Sequence, residues 1–415
     1  MSFAALNLPE YLLRAVTAVG YEQPTPIQKA SIPLIQAGRD LVAEAQTGTG
    51  KTAAYALPIL QMVNSTPTAK KSLSVHTLVL TPTRELALQV ASSFKRYGQY
   101  NPKKLSVVAV IGGVAINPQT KAIDSGADIV VATPGRLLDL FYNDEICLSE
   151  VKVLVIDEGD KMLNLGFAEE LDHILDALPK KRQNLLFSAT FPEKVTALTE
   201  KVLTDPIRVR FEEAIPTVAT IQQRVLEVNR DNRGVLLRHL LKTENWEHVL
   251  VFVASKRAAD NLARKLKKNG IKALAFHGNL HQSDRVDTLE QFKAKKFRVL
   301  IATDIAARGI DITKLTHVVN FDLPRSPADY IHRIGRTGRA GESGTAISFV
   351  SHETQDHFTL IEKRAQIQLK REQIVGFELT GVPSDPVRGK APVKGKRRSK
   401  KDKAREVAGT INLEK

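Results

Sequence analysis

Short apolar runs, each stopping abruptly at a polar cluster, recur along the whole chain. In the first half they are VHTLVLTPT (75–83), LSVVAVIGG (105–113), ADIVVATPGR (127–136), VKVLVIDEGD (151–160) and QNLLFSAT (183–190). In the second they are HVLVFVAS (248–255), IKALAFHG (271–278), FRVLIATD (297–304), HVVNFDLP (317–324) and TAISFV (345–350). Helical patterns fill the intervals, and this alternation predicts parallel α/β units. The runs are close to continuously apolar, as strands are when helices cover both faces of their sheet. Ligands of open parallel sheets bind outside the carboxyl ends of the strands. The polar clusters TPTREL, GG, TPGR, DEGD, SAT and TDIAARG would therefore line one edge of each sheet, and two such edges would face each other across a cleft.

The pattern weakens at EEAIPTVAT (212–220), which reads as a linker between a first domain (1–211) and a second (221–365). Beyond about residue 365 the apolar spacing fades, and 366–415 is expected to be a largely disordered basic tail. No repeat of 20–50 residues is present, which argues against a solenoid.

Composition changes this picture only in part. A chain of 415 residues is long enough for two or three domains of ~150 residues. With 43% hydrophobic and 25% charged residues it has the balance of a globular protein. No apolar run approaches the ~20 residues of a membrane span, and MSFAALNLPEYLLRAV has no signal-peptide pattern. The one cysteine, Cys147, excludes an internal disulfide framework, fits a reducing, cytoplasmic setting, and reads as a small buried hydrophobe. The net charge of +15 favours a polyanionic partner. Ten Lys or Arg between Arg388 and Arg405 face one acid, Asp402, so this stretch holds nine of those charges and the body is only mildly basic.

Chemistry enters at LVAEAQTGTGKTAAYALPIL (41–60), a strand, a glycine-bearing loop and a helix. Such a loop lets backbone N–H groups wrap a phosphate, with the helix N-terminus adding a favourable dipole. Lys51 would reach the β- and γ-phosphates and Thr52 would hold Mg2+. Ala45 stands where the general pattern has Gly. In DEGD, Asp157 ends an apolar run as an acid that could hold the nucleotide's Mg2+, and Glu158 stands where a base could orient water. In YIHRIGRTGRAG (330–341), Arg333, Arg336 and Arg339 recur at three-residue spacing, which on a helix gathers cations on one face. Phosphoryl transfer uses such an arginine to neutralise transition-state charge. HGNLH (277–281) has two histidines four apart, but Gly278 and Asn279 are poor helix formers and no third ligand is in view, so it reads as a polar turn. Trp246 reads as packing.

Over about residues 1 to 365 the sequence resembles the DEAD-box RNA helicases of superfamily 2. GYEQPTPIQ (20–28) looks like the adenine-reading Q motif, and AQTGTGKT, PTREL (82–86), TPGR (133–136), SAT (188–190), ATDIAARGID (302–311) and HRIGRTGR (332–339) follow in the family's order. The resemblance implies two RecA-like domains closing on ATP, Mg2+ and single-stranded RNA. It implies nucleotide contacts from Phe3, Gln28, Gln46, Thr47, Gly48, Thr49, Gly50, Lys51, Thr52 and Asp311, with Thr52 and Asp157 on the metal. Lys51, Asp157, Glu158, Arg336 and Arg339 would be catalytic, the last two as arginine fingers. Asp160, Ser188, Thr190 and His332 would couple hydrolysis to closure. Arg84, Gly113, Thr133, Arg136, Gln282, Arg285, Thr303 and Arg308 lie in motifs that face RNA. Such a set grips phosphate and sugar without reading bases.

The family has Ala where this chain has Gly159; glycine adds backbone freedom, and a slightly loosened Glu158 is expected. The short start, single core and basic tail are similar to the bacterial RhlE-type members, associated by family with ribosome assembly and RNA turnover. The expected activity is RNA-stimulated ATP hydrolysis that opens short duplexes or remodels RNA–protein complexes. An ATP-dependent RNA clamp with little unwinding, and a DNA helicase, are the alternatives.

Overall fold

The computed structural model describes residues 2–45, 48–65, 73–211, 221–307, 315–338 and 344–381. The linker 212–220 and the basic stretch beyond 381 lie outside them. Two seven-stranded sheets form the frame. The first holds β1 Leu41–Glu44, β2 Val75–Leu80, β3 Val107–Val110, β4 Ala127–Ala132, β5 Val153–Asp157, β6 Gln183–Ser188 and β7 Ile207–Arg210. The second holds β8 Ile221–Glu227, β9 Val249–Phe252, β10 Ala273–Phe276, β11 Val299–Ala302, β12 His317–Asn320, β13 Gly344–Val350 and β14 Arg371–Glu372. All their pairings are parallel.

The strand orders are β3-β4-β2-β5-β6-β1-β7 and β10-β11-β9-β12-β13-β8-β14. Place by place the second order repeats the first, as two tandem RecA-like units require. Helices cover both faces, and the strand sequences show why. In β5, Val153 and Val155 pack with Tyr55, Phe94 and Phe187 on one face. Leu154 and Ile156 pack with Leu140, Leu171 and Ile174 on the other. A strand buried on both faces has no position at which a polar residue is cheap, hence the continuous apolar run.

Several details differ from expectation. β7 and β8 have no apolar run of their own. In β7 alternate residues are exposed, while β8 carries Gln222, Gln223 and Arg224 at its centre. Gln222 is exposed, and the other two find partners: Gln223 accepts from Tyr330 Oη at 2.8 Å, and Arg224 reaches Glu244 and Glu372. The segment 366–381, expected to begin the disordered tail, belongs to the second unit. β14 extends the sheet beyond β8, and Ile374 and Phe377 pack on the core. Four apolar residues spread over 367–377 are enough to seat an edge strap without any periodic pattern. Cys147 is half-buried, 3.1 Å from Ser149 Oγ, rather than fully buried. Trp246 is buried and stacks on His317 with centroids 4.6 Å apart. Among the described residues no helix is long and apolar enough to cross a membrane.

Candidate functional site

The strand order divides each carboxyl edge into two halves. In the first sheet β5, β6 and β1 are neighbours, so the phosphate-loop residues after β1, the acids at the end of β5 and Ser188 at the end of β6 meet. On the other half, β3, β4 and β2 lead into Gly113, Thr133 and Arg84. The second sheet repeats the division: Gln282 and Thr303 follow β10 and β11, whereas His332 and Arg336 follow β12.

The loop begins at Ala45, whose N–H donates to Ser188 O at 3.0 Å. Gly48 and Gly50 have φ of 94° and 92°, a region that suits glycine. Gly50 has a second reason to lack a side chain, since a Cβ would stand 2.4 Å from Gln28 Nε2. Gln28 is buried and uses both ends of its amide: Nε2 donates to Gly50 O at 3.1 Å, and Oε1 accepts from Thr25 N at 3.0 Å. It thereby ties the Q-motif helix to the phosphate loop. Phe3 is buried and stacks on Tyr21, with centroids 6.4 Å apart. Lys51 Nζ donates to Ala45 O at 2.9 Å, and Thr49 is buried beside it in the loop. Thr52, one residue further along the helix Lys51–Ser65, is half-buried. Gln46, Thr47, Arg308, Asp311 and Arg339 lie outside the described residues.

Asp157, Glu158 and Asp160 are all buried, and they share one arrangement. Each has one carboxylate oxygen held and the other buried without a hydrogen-bond partner. Tyr55 Oη donates to Asp157 Oδ2 at 2.9 Å, Lys161 Nζ to Glu158 Oε1 at 2.5 Å, and Thr190 Oγ1 to Asp160 Oδ2 at 2.9 Å. Asp157 Oδ1, Glu158 Oε2 and Asp160 Oδ1 remain unpartnered. Ser188 Oγ accepts from Asp160 N at 3.1 Å and donates to Thr190 O at 2.9 Å, closing a network between the acids and SAT.

Unpartnered buried acceptors are costly, and a catalytic role, a water or an ion accounts for those that persist. Burial pushes the Asp157 carboxyl up from its ordinary value, against the pull of Lys51. Burial would raise Glu158 too, but Lys161 and Lys51 together hold it below its ordinary value. Hard oxygen donors at Thr52 and Asp157, with Asp157 Oδ1 vacant and its charge undercompensated, suit Mg2+.

The second unit reaches this cluster. Arg336 is buried and lies close enough to Glu158 and Lys161 to shift both. His332 is pushed down to about 4, by burial first and then by Lys161 and Arg336, and is therefore neutral near pH 7. The three-residue spacing of the arginines does not make one cationic face. The helix Pro327–Ile334 ends at Gly335, ahead of Arg336. Arg333 turns inward: it is bidentate to Asp304 at 2.6 and 2.7 Å, bonds Asn320, and lies over the Phe252 ring.

On the other half of the edge, Gly113 has φ of 78°, and a Cβ there would stand 2.1 Å from Arg84 Nη1. Arg84 is half-buried, Thr133 is buried, and Arg136 Nη1 donates to Val114 O at 3.1 Å. Thr303 is half-buried at the end of β11. Gln282 and Arg285, expected to face RNA, are instead buried against the first unit. Gln282 Nε2 and Arg285 Nε both donate to Glu85 Oε1, at 3.1 and 2.7 Å. Both donors thus meet one buried carboxylate of the facing unit. His277 Nε2 lies 2.8 Å from Asp260 Oδ1.

Three participants were missed in the sequence: Tyr55, Lys161 and Glu85. Tyr55 stands four residues after Lys51 and Lys161 three after Glu158, spacings that share a helix face. Glu85 offered no such signal, because its partners are about 200 residues away.

The DEAD/DEAH box helicase family matches residues 25–198, and the helicase conserved C-terminal domain matches 232–341. The DEAD-box ATP-dependent RNA helicase CshA of Bacillus subtilis (strain 168) is 40% identical over 371 residues, 89% of this chain and 74% of that protein. Dbp5 of S. cerevisiae, solved bound to RNA and ADP BeF3, is 32% identical with a TM-score of 0.79, covering 90% of this chain and 95% of that one. The DEAD-box helicase Mss116, solved bound to ssRNA and UDP-BeF, is 27% identical with a TM-score of 0.80, covering 90% and 80%.

Proposed function

The chain belongs to the DEAD-box ATP-dependent RNA helicases, and we propose that its two facing sheet edges form one RNA-dependent ATPase site in which each half has a separate task. The β5-β6-β1 half, with His332 and Arg336 opposite, takes the nucleotide. The β3-β4-β2 half takes the RNA backbone, through Arg84, Gly113, Thr133 and Arg136, with Thr303 and Arg308 from the second unit. The observation that carries this reading is the acid cluster: three carboxylates with one oxygen held and one buried and vacant, beside an arginine from the other unit.

In hydrolysis, the vacant Glu158 Oε2 accepts a proton from water as the water oxygen bonds to the γ-phosphorus. The bond from that phosphorus to the bridging oxygen breaks, and ADP leaves with its electron pair. Arg336, with Arg339, offsets charge on the equatorial oxygens. Lys51 and the backbone of Thr47 to Thr52 hold the phosphates, and Gln46 and Asp311 complete the nucleotide contacts. Thr52 and Asp157 Oδ1 would hold Mg2+, which neutralises the phosphate oxygens when bound. Phe3 and Gln28 flank the adenine. Asp160, Ser188, Thr190 and His332 link the acids to the opposing unit, so nucleotide state and closure move together. Closure on a bent single strand opens a short duplex or dislodges a protein from RNA, and hydrolysis restores the open state.

We read DEGD as a working variant of the DEAD motif, the chain as an RhlE-type member acting in the cytoplasm, and its substrates as ribosomal precursors or RNAs undergoing decay. The basic tail supports the last point through sequence-independent, salt-sensitive anchoring. Hydrolysis measured for the wild type and Glu158→Gln, each alone, with RNA and with matched single-stranded DNA, tests the core reading. RNA-specific stimulation lost in the variant is expected. Equal stimulation by DNA, or full activity of the variant, overturns it. Crosslinking RNAs to the chain in cells tests the substrate class.

A further inference from the structure

Glu158 has an unusual setting for a group that must be aimed. Its backbone is left-handed, with φ 55° and ψ 49°, at the N-cap of the short helix Gly159–Asn164: its carbonyl accepts from Lys161 N and Met162 N, but its side chain makes no cap bond. Neither a regular helix nor a hydrogen bond to its own backbone fixes its side chain. The contact that does fix it comes from Lys161, whose Nζ lies 2.5 Å from Oε1. Both side chains are almost wholly buried, with 8% and 4% of their surfaces exposed.

A lysine in this place is hard to explain by stability. Burying an ammonium carries a desolvation cost of several kcal/mol, which an ion pair at best offsets. An apolar chain of the same length would fill the volume at less cost. Lys161 also sits on the seam, facing Arg336 and His332 of the other unit, where a further positive charge opposes closure. Its gain must therefore lie in what it does to Glu158. With Oε1 held by a point charge on the same turn, the carboxylate can pivot little. The oxygen left over, Oε2, is buried and unpartnered. Asp157 and Asp160 follow the same pattern, with Tyr55 and Thr190 as holders.

We infer that Lys161 is a positioning residue for ATP hydrolysis: it holds Glu158 Oε1 so that Oε2 alone is presented to the attacking water. This rests on the reading of Glu158 as the group that receives the water's proton. Lys161 touches neither nucleotide nor RNA in this account, so its loss acts on turnover and not on binding.

The test uses the full chain with RNA and Mg-ATP, comparing wild type, Lys161→Met, Lys161→Arg, Glu158→Gln and the Lys161→Met/Glu158→Gln double variant. A misplacement of about 1 Å costs up to ~100-fold in rate, so Lys161→Met is expected to lower kcat by about 10- to 100-fold. KM for ATP, and RNA affinity in the presence of ADP–beryllium fluoride, should not weaken. Lys161→Arg should recover most of kcat, and the double variant should be no slower than Glu158→Gln alone. Wild-type kcat in Lys161→Met, with Glu158→Gln inactive, overturns the inference and leaves the base assignment standing. Activity retained in Glu158→Gln removes the base assignment, and the inference with it. A fall in kcat matched by a rise in KM, or one not rescued by arginine, shows a merely structural residue and also overturns it. Should Lys161→Met not fold, Lys161→Leu carries the same comparison: it keeps apolar volume and donates no hydrogen bond, and wild-type kcat in it refutes the role.

Discussion

Glu85 joins the two units on the β3-β4-β2 half of the edge, and neutralising it isolates the free energy of that contact. Glu85 Oε1 accepts from Gln282 Nε2 at 3.1 Å and from Arg285 Nε at 2.7 Å. Arg285 is further fixed over the Phe276 ring, 4.7 Å from its centroid, and by a bond to His277 O. Glu85→Gln keeps the shape and one acceptor oxygen but removes the charge. A hydrogen bond to a charged group contributes about 1.5–3 kcal/mol, and disrupting a buried charge pair costs about 2–5 kcal/mol. A loss of about 2–3 kcal/mol from the arrangement in which the three side chains meet is therefore expected. Apparent affinity scales with the fraction of molecules able to close. Where closure limits binding, RNA affinity with ADP–beryllium fluoride should fall by about 30- to 150-fold, at ~1.4 kcal/mol per decade. Fluorescence anisotropy of a labelled single strand measures this, and without nucleotide the variant should match the wild type. An affinity within twofold of wild type in the presence of the analogue would refute the reasoning.

Four more outcomes follow from the geometry. Tyr55→Phe removes the donor to Asp157 Oδ2 and, as with other outer-shell partners of metal ligands, should raise the Mg2+ needed for half-maximal ATPase by roughly 10- to 100-fold; an unchanged Mg2+ titration refutes the link. Gly159→Ala brings a Cβ to 2.9 Å from Leu186 Cδ1, so melting should show an overpacking cost of about 1–3 kcal/mol, relieved by adding Leu186→Val; a silent single variant refutes it. Ending the chain at Ala365 removes the strap bearing Ile374 and Phe377 and should cost the second unit about 2–4 kcal/mol, whereas ending at Gly381 should spare stability but weaken RNA binding and flatten its salt dependence; equal melting of the two would contradict this. His332, held down to about 4 in the closed arrangement, favours closure fully above its ordinary ~6.5. That preference is lost as pH falls from ~6.5 towards 4, so analogue-dependent RNA binding should decline over this window, and less steeply in His332→Gln.

What could be read from the sequence depended on whether a residue's partners were local. β5 is buried on both faces, so Val153 to Ile156 are all apolar and the run declared itself up to Asp157. β8 was opaque because its polar centre is satisfied by Tyr330, Glu244 and Glu372, partners distant in sequence. The phosphate loop and the acids could be found because their chemistry needs fixed residue types at fixed spacing. The contact of Gln282 and Arg285 with Glu85 was illegible for the opposite reason: an arginine that grips phosphate and one that grips a buried Glu85 look alike in sequence. Gly159 was expected to loosen Glu158. A Cβ at 159 would stand 2.9 Å from Leu186 Cδ1, so that methyl crowds the position, while Lys161 holds the Glu158 carboxylate.

The division of each sheet edge into two halves has a thermodynamic consequence. Seven hydrogen-bonded parallel strands move as one body, so under the proposed division of tasks the nucleotide half cannot close while the RNA half stays open. Two ligands that bind the same closed arrangement are then linked, whether or not they touch. By linkage, the factor by which nucleotide tightens RNA must equal the factor by which RNA tightens nucleotide. Hydrolysis ends that reciprocity on one side of the cycle only, and this asymmetry turns a symmetric coupling into a direction.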